Sequence, residues 1–108
     1  MNTKLNGFLL LTLLVFFAGT VNAEGIRGRL DGLGPYGTYP VTGIAVTVSS
    51  QMGRSSPSYS DYQGMYYIYG LMPGPHVLEI WIGYQPMVFN IMVNPGQPLT
   101  DIAPIRVR

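Results

Sequence analysis

His76 is the only histidine in the chain, and there is no cysteine, so any imidazole or thiolate chemistry would have to rest on one ring. A general base or a zinc site needs partners within hydrogen-bond or coordination reach. His76 lies on the parity of Leu78 and Ile80, just after Pro75, a position where a half-buried ring satisfied by backbone is expected. Asp31, Asp61 and Asp101 stand beside turn residues. Carboxylates in such places bond backbone amides, and their spacing lacks the dense oxygen ligands that calcium needs. Ser49-Ser50 and Ser55-Ser56 read as turn and loop composition. No nucleophile stands beside a base, and no pair of carboxylates is suitably spaced. The residues therefore predict no enzyme, with no catalytic residues, no cofactor and no metal ligand.

The remaining chemistry is aromatic. In Met65-Tyr66-Tyr67-Ile68-Tyr69, Tyr66 and Ile68 alternate with Tyr67 and Tyr69 as a strand with two unlike faces requires. Asp61 suits the first position of a type I turn before that strand and Gly64 the fourth, while Gly70 and Pro73-Gly74 turn the chain into Val77 to Ile82. If that second turn closes a hairpin, Tyr69 pairs with Val77, Tyr67 with Glu79 and Met65 with Trp81. Met65, Tyr67, Tyr69, Val77 and Trp81 then form one outer patch. Such a face either stacks sugar rings and anchors partners or only stabilises the sheet. Met65, Tyr67, Tyr69 and Trp81 are the predicted ligand- or partner-binding residues.

The elements that must hold these residues read as all β. The chain breaks every few residues at Gly, Pro, Asn or Ser, and no window carries helical apolar spacing. Strands are predicted near Ile26 to Leu30, Ile44 to Ser49, Ser56 to Ser60, Met65 to Tyr69, Val77 to Ile82, Val88 to Val93 and Asp101 to Arg106. Seven short strands suggest an antiparallel β-sandwich. Parity selects Ile44, Val46, Val48, Tyr66, Ile68, Leu78, Ile80, Phe89, Ile91, Val93, Ile105 and Val107 for the core, and leaves Thr47 and Asn90 facing water. Asp31 to Thr42, rich in Gly, Pro and Tyr, reads as a long loop suited to binding.

Lys4 precedes an apolar run from Phe8 to Ala18 relieved only by Thr12, followed by Val21-Asn22-Ala23. This is the pattern of a secretory signal peptide cleaved after Ala23, and the run is too short for a membrane anchor. The expected organisation is a signal peptide at 1–23 and one domain at 24–108, secreted or periplasmic and bacterial. With no cysteine, no disulfide supports the fold. Beyond residue 23, five arginines balance five carboxylates. Without a net positive charge or a basic stripe, nucleic acid and anionic lipid are unsuitable partners.

Three motifs in order, Pro40 to Val48, Ser60 to Ile68 and Leu71 to Ile80, resemble the carboxypeptidase regulatory-like domains. That resemblance implies a seven-stranded transthyretin-like, Ig-like sandwich, close in fold to carbohydrate-binding modules and non-catalytic. The chain departs from the family in its longer segment after Asp31, in His76 where Tyr is usual, and in having no companion peptidase or receptor domain. The related hydroxyisourate hydrolases use several histidines and a Tyr-Arg-Gly-Ser ending, where this chain has one histidine and ends Pro104-Ile105-Arg106-Val107-Arg108. Collagen-adhesin B-type modules use a Lys–Asn isopeptide, and there is no lysine after residue 23. The expected function is a non-enzymatic module that binds an envelope or extracellular protein through the aromatic face or the first loop. The alternative is a carbohydrate-binding module.

Overall fold

A computed structural model describes residues 24–108; the predicted signal peptide lies outside the described residues. Ten strands follow one another: β1 (Gly25–Gly34), β2 (Gly37–Pro40), β3 (Ala45–Ser50), β4 (Gly53–Arg54), β5 (Ser58–Tyr59), β6 (Met65–Tyr69), β7 (Gly74–Ile82), β8 (Gln85–Val93), β9 (Leu99–Asp101) and β10 (Ile105–Arg106). They form two sheets that enclose one core, the β-sandwich that the alternation implied. The count exceeds seven because short pieces at β2, β4 and β10 join the ladders.

The first sheet is organised by β1, which is long enough to serve two sets of partners. Its first half pairs antiparallel with β6 and parallel with β9, and its second half antiparallel with β2 and parallel with β10. The second sheet runs β4-β3-β7-β8, with β5 also on β3, and is antiparallel throughout. Ile26, Leu30, Tyr66 and Ile68 from the first sheet meet Val46, Val48, Leu78, Ile80 and Val93 from the second, all buried. Burying these apolar side chains, each worth roughly 1.5–3 kcal/mol, holds the sheets together without a disulfide. Ile44, Phe89, Ile91, Ile105 and Val107 pack at the rim, partly buried. Ile26, Leu30, Val41 and Leu71 are buried core residues in addition to those that parity selects.

Glycine opposite tyrosine shapes β1. Gly28 pairs directly with Tyr66, and a Cβ at 28 would run into the tyrosine's Cζ and hydroxyl. The absent side chain lets the Tyr66 ring lie across β1 in the core. Gly32 stands in the same relation to Tyr39. The expected loop from Asp31 to Thr42 is therefore mostly a hairpin: β1 continues to Gly34, turns at Pro35-Tyr36 and returns as β2, with Asp31 opposite Pro40. Its composition resembles that of a loop because the glycines make room for aromatic partners across the ladder.

The Asp61 turn forms as expected. Asp61 Oδ1 accepts from the amides of Gln63 and Met65, each at 2.9 Å. Gly64 has φ +78, and a Cβ there would come within 2.6 Å of the Leu30 carbonyl oxygen. The other two aspartates do not cap turns. Asp31 accepts from Arg29 Nε at 2.6 Å, and Asp101 pairs with Arg27, which lies directly opposite it across β1 and β9.

Candidate binding site

The sequence-predicted aromatic patch divides between the two sheets. Gly70 to Gly74 does not fold β6 back onto β7. It carries the chain from the first sheet to the second, and Leu71, buried in the core, anchors the crossing. Met65, Tyr67 and Tyr69 thus stand outward on β6, opposite Arg29, Arg27 and Gly25 of β1, while Val77 and Trp81 face outward on the second sheet beside Ser49 and Ala45 of β3. Leu71 was the signal against a hairpin, since a free hairpin tip gives a leucine nothing to pack against.

On β6, Tyr67 is 37% and Tyr69 66% exposed. Their rings stack with centroids 6.4 Å apart and planes 6° from parallel, bordered by the Arg27–Asp101 ion pair. Next to this stack, a groove of about 650 Å³ opens between the segment joining β4 to β5 and the β6–β7 crossing. Met52, Met72, Ser58, Tyr67, Tyr69 and His76 are among the residues that line it. The outer edge of β6 is closed at this point, since the Tyr67 amide donates to Ser58 Oγ at 3.2 Å. Two further serines of the groove also serve backbone: Ser55 Oγ accepts from the Val48 amide at 2.9 Å and Ser50 Oγ from the Met52 amide at 3.1 Å.

His76 is more buried than the half-buried ring expected, at 8% exposed. Its Nε2 donates to the Met72 carbonyl oxygen at 2.7 Å, the backbone satisfaction anticipated, whereas Nδ1 is buried without a partner among the described residues. The proton therefore sits on Nε2. Among the described residues, no three His, Cys, Asp or Glu side chains gather closely enough to hold a metal ion.

Trp81 belongs to a polar network on the outer face of the second sheet. Its Nε1 donates to Thr47 Oγ1 at 2.8 Å, and Thr47 Oγ1 donates to Glu79 Oε1 at 2.7 Å. Arg54 grips the same carboxylate through Nε to Oε1 at 2.8 Å and Nη2 to Oε2 at 3.0 Å, and its guanidinium lies 5.2 Å from the Trp81 ring centroid. The bidentate Arg54 bond, with help from Thr47, holds the Glu79 carboxyl below the usual carboxylate range against the opposing effect of burial. Thr47 is thus buried, contrary to the expectation that it faces water. Its parity is outward as read, but Trp81 and Glu79 cover it. Asn90 is exposed as expected.

No protein-family model matches the chain, so the resemblance to carboxypeptidase regulatory-like domains has no such support. A search of curated proteins finds no match either. Among solved structures, the chain is similar to GBS52, the minor pilin of the Gram-positive pathogen Streptococcus agalactiae. The TM-score is 0.58 at 14% identity, over 77% of this chain and 43% of that one. It is also similar to the Bacillus anthracis TIE protein, with a TM-score of 0.57 at 14% identity, over 77% of this chain and 16% of that one. The chain spans less than half the length of either. At this identity the likeness establishes the sandwich fold.

Proposed function

We propose that residues 24–108 form a non-enzymatic binding module, exported by a bacterium to its periplasm or surroundings, that holds a segment of an envelope or extracellular protein in the groove beside β6. One observation carries the reading: exposed Tyr67 and Tyr69 stand beside Met52 and Met72 at a groove of about 650 Å³. Stacked tyrosines present large, rigid contact area, and methionines adapt to irregular apolar partners. An aromatic and methionine cluster left in water forgoes its burial energy, which a docked segment would recover. The hydroxyls of Ser50, Ser55 and Ser58 are engaged with local backbone, which favours recognition over catalysis. Similarity to a pilin and to a second bacterial protein agrees with a surface or extracellular setting.

Trp81 lies on the other sheet and takes no part in this groove. The test is a photo-cross-linking amino acid placed at Tyr69 in the producing cell, with Tyr84, fully exposed in the β7–β8 turn, as control. A discrete protein adduct from position 69 and none from 84 is expected; matching patterns from both positions would refute the groove. Glycan binding is the second reading, favoured by the parallel Tyr67 and Tyr69 rings beside the Arg27–Asp101 pair. A glycan array that binds the wild type but not Tyr67→Ala with Tyr69→Ala would select it.

A further inference from the structure

The longest open strand edge among the described residues is β8. It spans nine residues, Gln85–Val93, and hydrogen-bonds only to β7, at the end of the second sheet. The remaining edges are short or engaged: β2, at the end of the first sheet, has four residues, β9, β10, β4 and β5 have three or fewer, and the outer side of β6 bonds Ser58. Natural sheets guard edges of this length with charge, bulges or coverage. Here no charged residue occurs anywhere between Glu79 and Asp101.

The direction of the free backbone groups follows from the turn. Ile82 and Gln85 flank Gly83-Tyr84, and Gly83, with φ +80, is the first turn residue, as a type II′ hairpin requires. Gln85 therefore bonds Ile82, and the alternation of antiparallel pairing points the backbone groups of Pro86, Val88, Asn90 and Met92 away from β7. Pro86 has no N–H. The side chains along this edge are apolar and open, with Val88 59% and Met92 55% exposed and Met87 also exposed on the inner side.

We propose that β8 pairs antiparallel with β8 of a second copy of this chain, with Asn90 on the two-fold axis. An edge without charge offers nothing to a charged partner and does not repel itself, and an antiparallel strand about a two-fold is self-complementary. The Asn90-centred register pairs Val88 with the partner's Met92 and Met92 with the partner's Val88. Every N–H and C=O from Val88 to Met92 that points outward is then matched, and Pro86 falls outside the ladder. Sliding one pair toward the turn would set the carbonyl of Met92 against a proline with no donor, and sliding one pair the other way would set Val88 against Asn94, whose amide already donates to Thr100 Oγ1 at 2.9 Å. On the outer face Val88 and Met92 cover one another across the interface, and on the inner face Phe89 meets the partner's Ile91.

The test measures the mass of the purified exported protein across concentration by sedimentation, together with two charge designs. Wild type should form a dimer. Val88→Lys with Met92→Lys places like charges opposite each other and should leave only monomer. Val88→Lys with Met92→Glu places opposite charges across the same register and should restore the dimer. Both positions are exposed, so matching melting temperatures at a dilution where all the proteins are monomeric will show that the fold persists. Asn90→Cys, in a chain with no other cysteine, should give a covalent dimer on oxidation, since facing residues in a ladder are within disulfide reach. Wild type that stays monomeric at all concentrations, a double-lysine variant that still dimerises, or a dimer that Asn90→Cys fails to cross-link would each overturn the proposal. None of these outcomes bears on the groove beside β6, which the cross-linking at Tyr69 tests separately.

Discussion

Thr47→Val replaces a hydroxyl by a methyl at nearly constant shape, and its consequence can be worked from the structure. The hydroxyl donates to Glu79 Oε1 at 2.7 Å and accepts from Trp81 Nε1 at 2.8 Å. A hydrogen bond to a charged group contributes about 1.5–3 kcal/mol and a neutral one about 0.5–1.5 kcal/mol. Arg54 keeps both its bonds to the carboxylate, half-exposed Trp81 can recruit water, and valine is a good strand residue, so the net cost is about 2 kcal/mol at neutral pH. In a domain of this size roughly 4–8 °C is lost per kcal/mol, a fall in Tm of about 8–16 °C. The cost must also depend on pH. The folded Glu79 carboxyl is held below its ordinary value of 4.5, so its contribution is present above that value and lost as pH falls through the depressed folded value. Below that point the Thr47 bond has a neutral partner, and the difference between wild type and variant should shrink to about 1 kcal/mol or less. Thermal melts at neutral pH and in an acid series measure both effects. A Tm change under about 2 °C, or a difference that stays constant through the acid range, would show that the Thr47 network does not stabilise the sheet.

Three further outcomes are expected. Gly28→Ala should cost about 1–3 kcal/mol in a thermal melt, because its Cβ displaces the Tyr66 ring that lies across β1. Tyr66→Phe should be neutral or stabilising, since the buried hydroxyl has no partner among the described residues and its removal ends a desolvation cost; a clear loss of stability would show that the hydroxyl is satisfied. Intact-mass measurement of the exported protein should give a chain beginning at Glu24, as Val21 and Ala23 suit signal peptidase, and a mass that includes Met1 would refute the cleavage.

What the sequence determined by itself was local. Alternation with period two put Val46, Val48, Tyr66, Ile68, Leu78, Ile80 and Val93 inside, and all seven are buried, because inward parity is a property of each strand alone. The Asp61 turn was equally legible, because a carboxylate and a glycine three residues apart suffice to make it. Strand partnership was decided only by the tertiary structure. Tyr67 and Tyr69 share a sheet with Arg27 and not with Trp81, since burying Leu71 favoured a crossing over a hairpin at Gly70 to Gly74. Thr47 points outward yet is buried because residues from two other strands, Glu79 and Arg54, and the Trp81 indole converge on its face. Asp31 to Pro40 is sheet because Gly32 leaves space for a tyrosine seven residues away. Side-chain parity is encoded within a few residues, whereas the partner across the ladder is chosen by which arrangement buries most apolar surface and leaves fewest polar groups unpaired. That choice depends on all the strands at once.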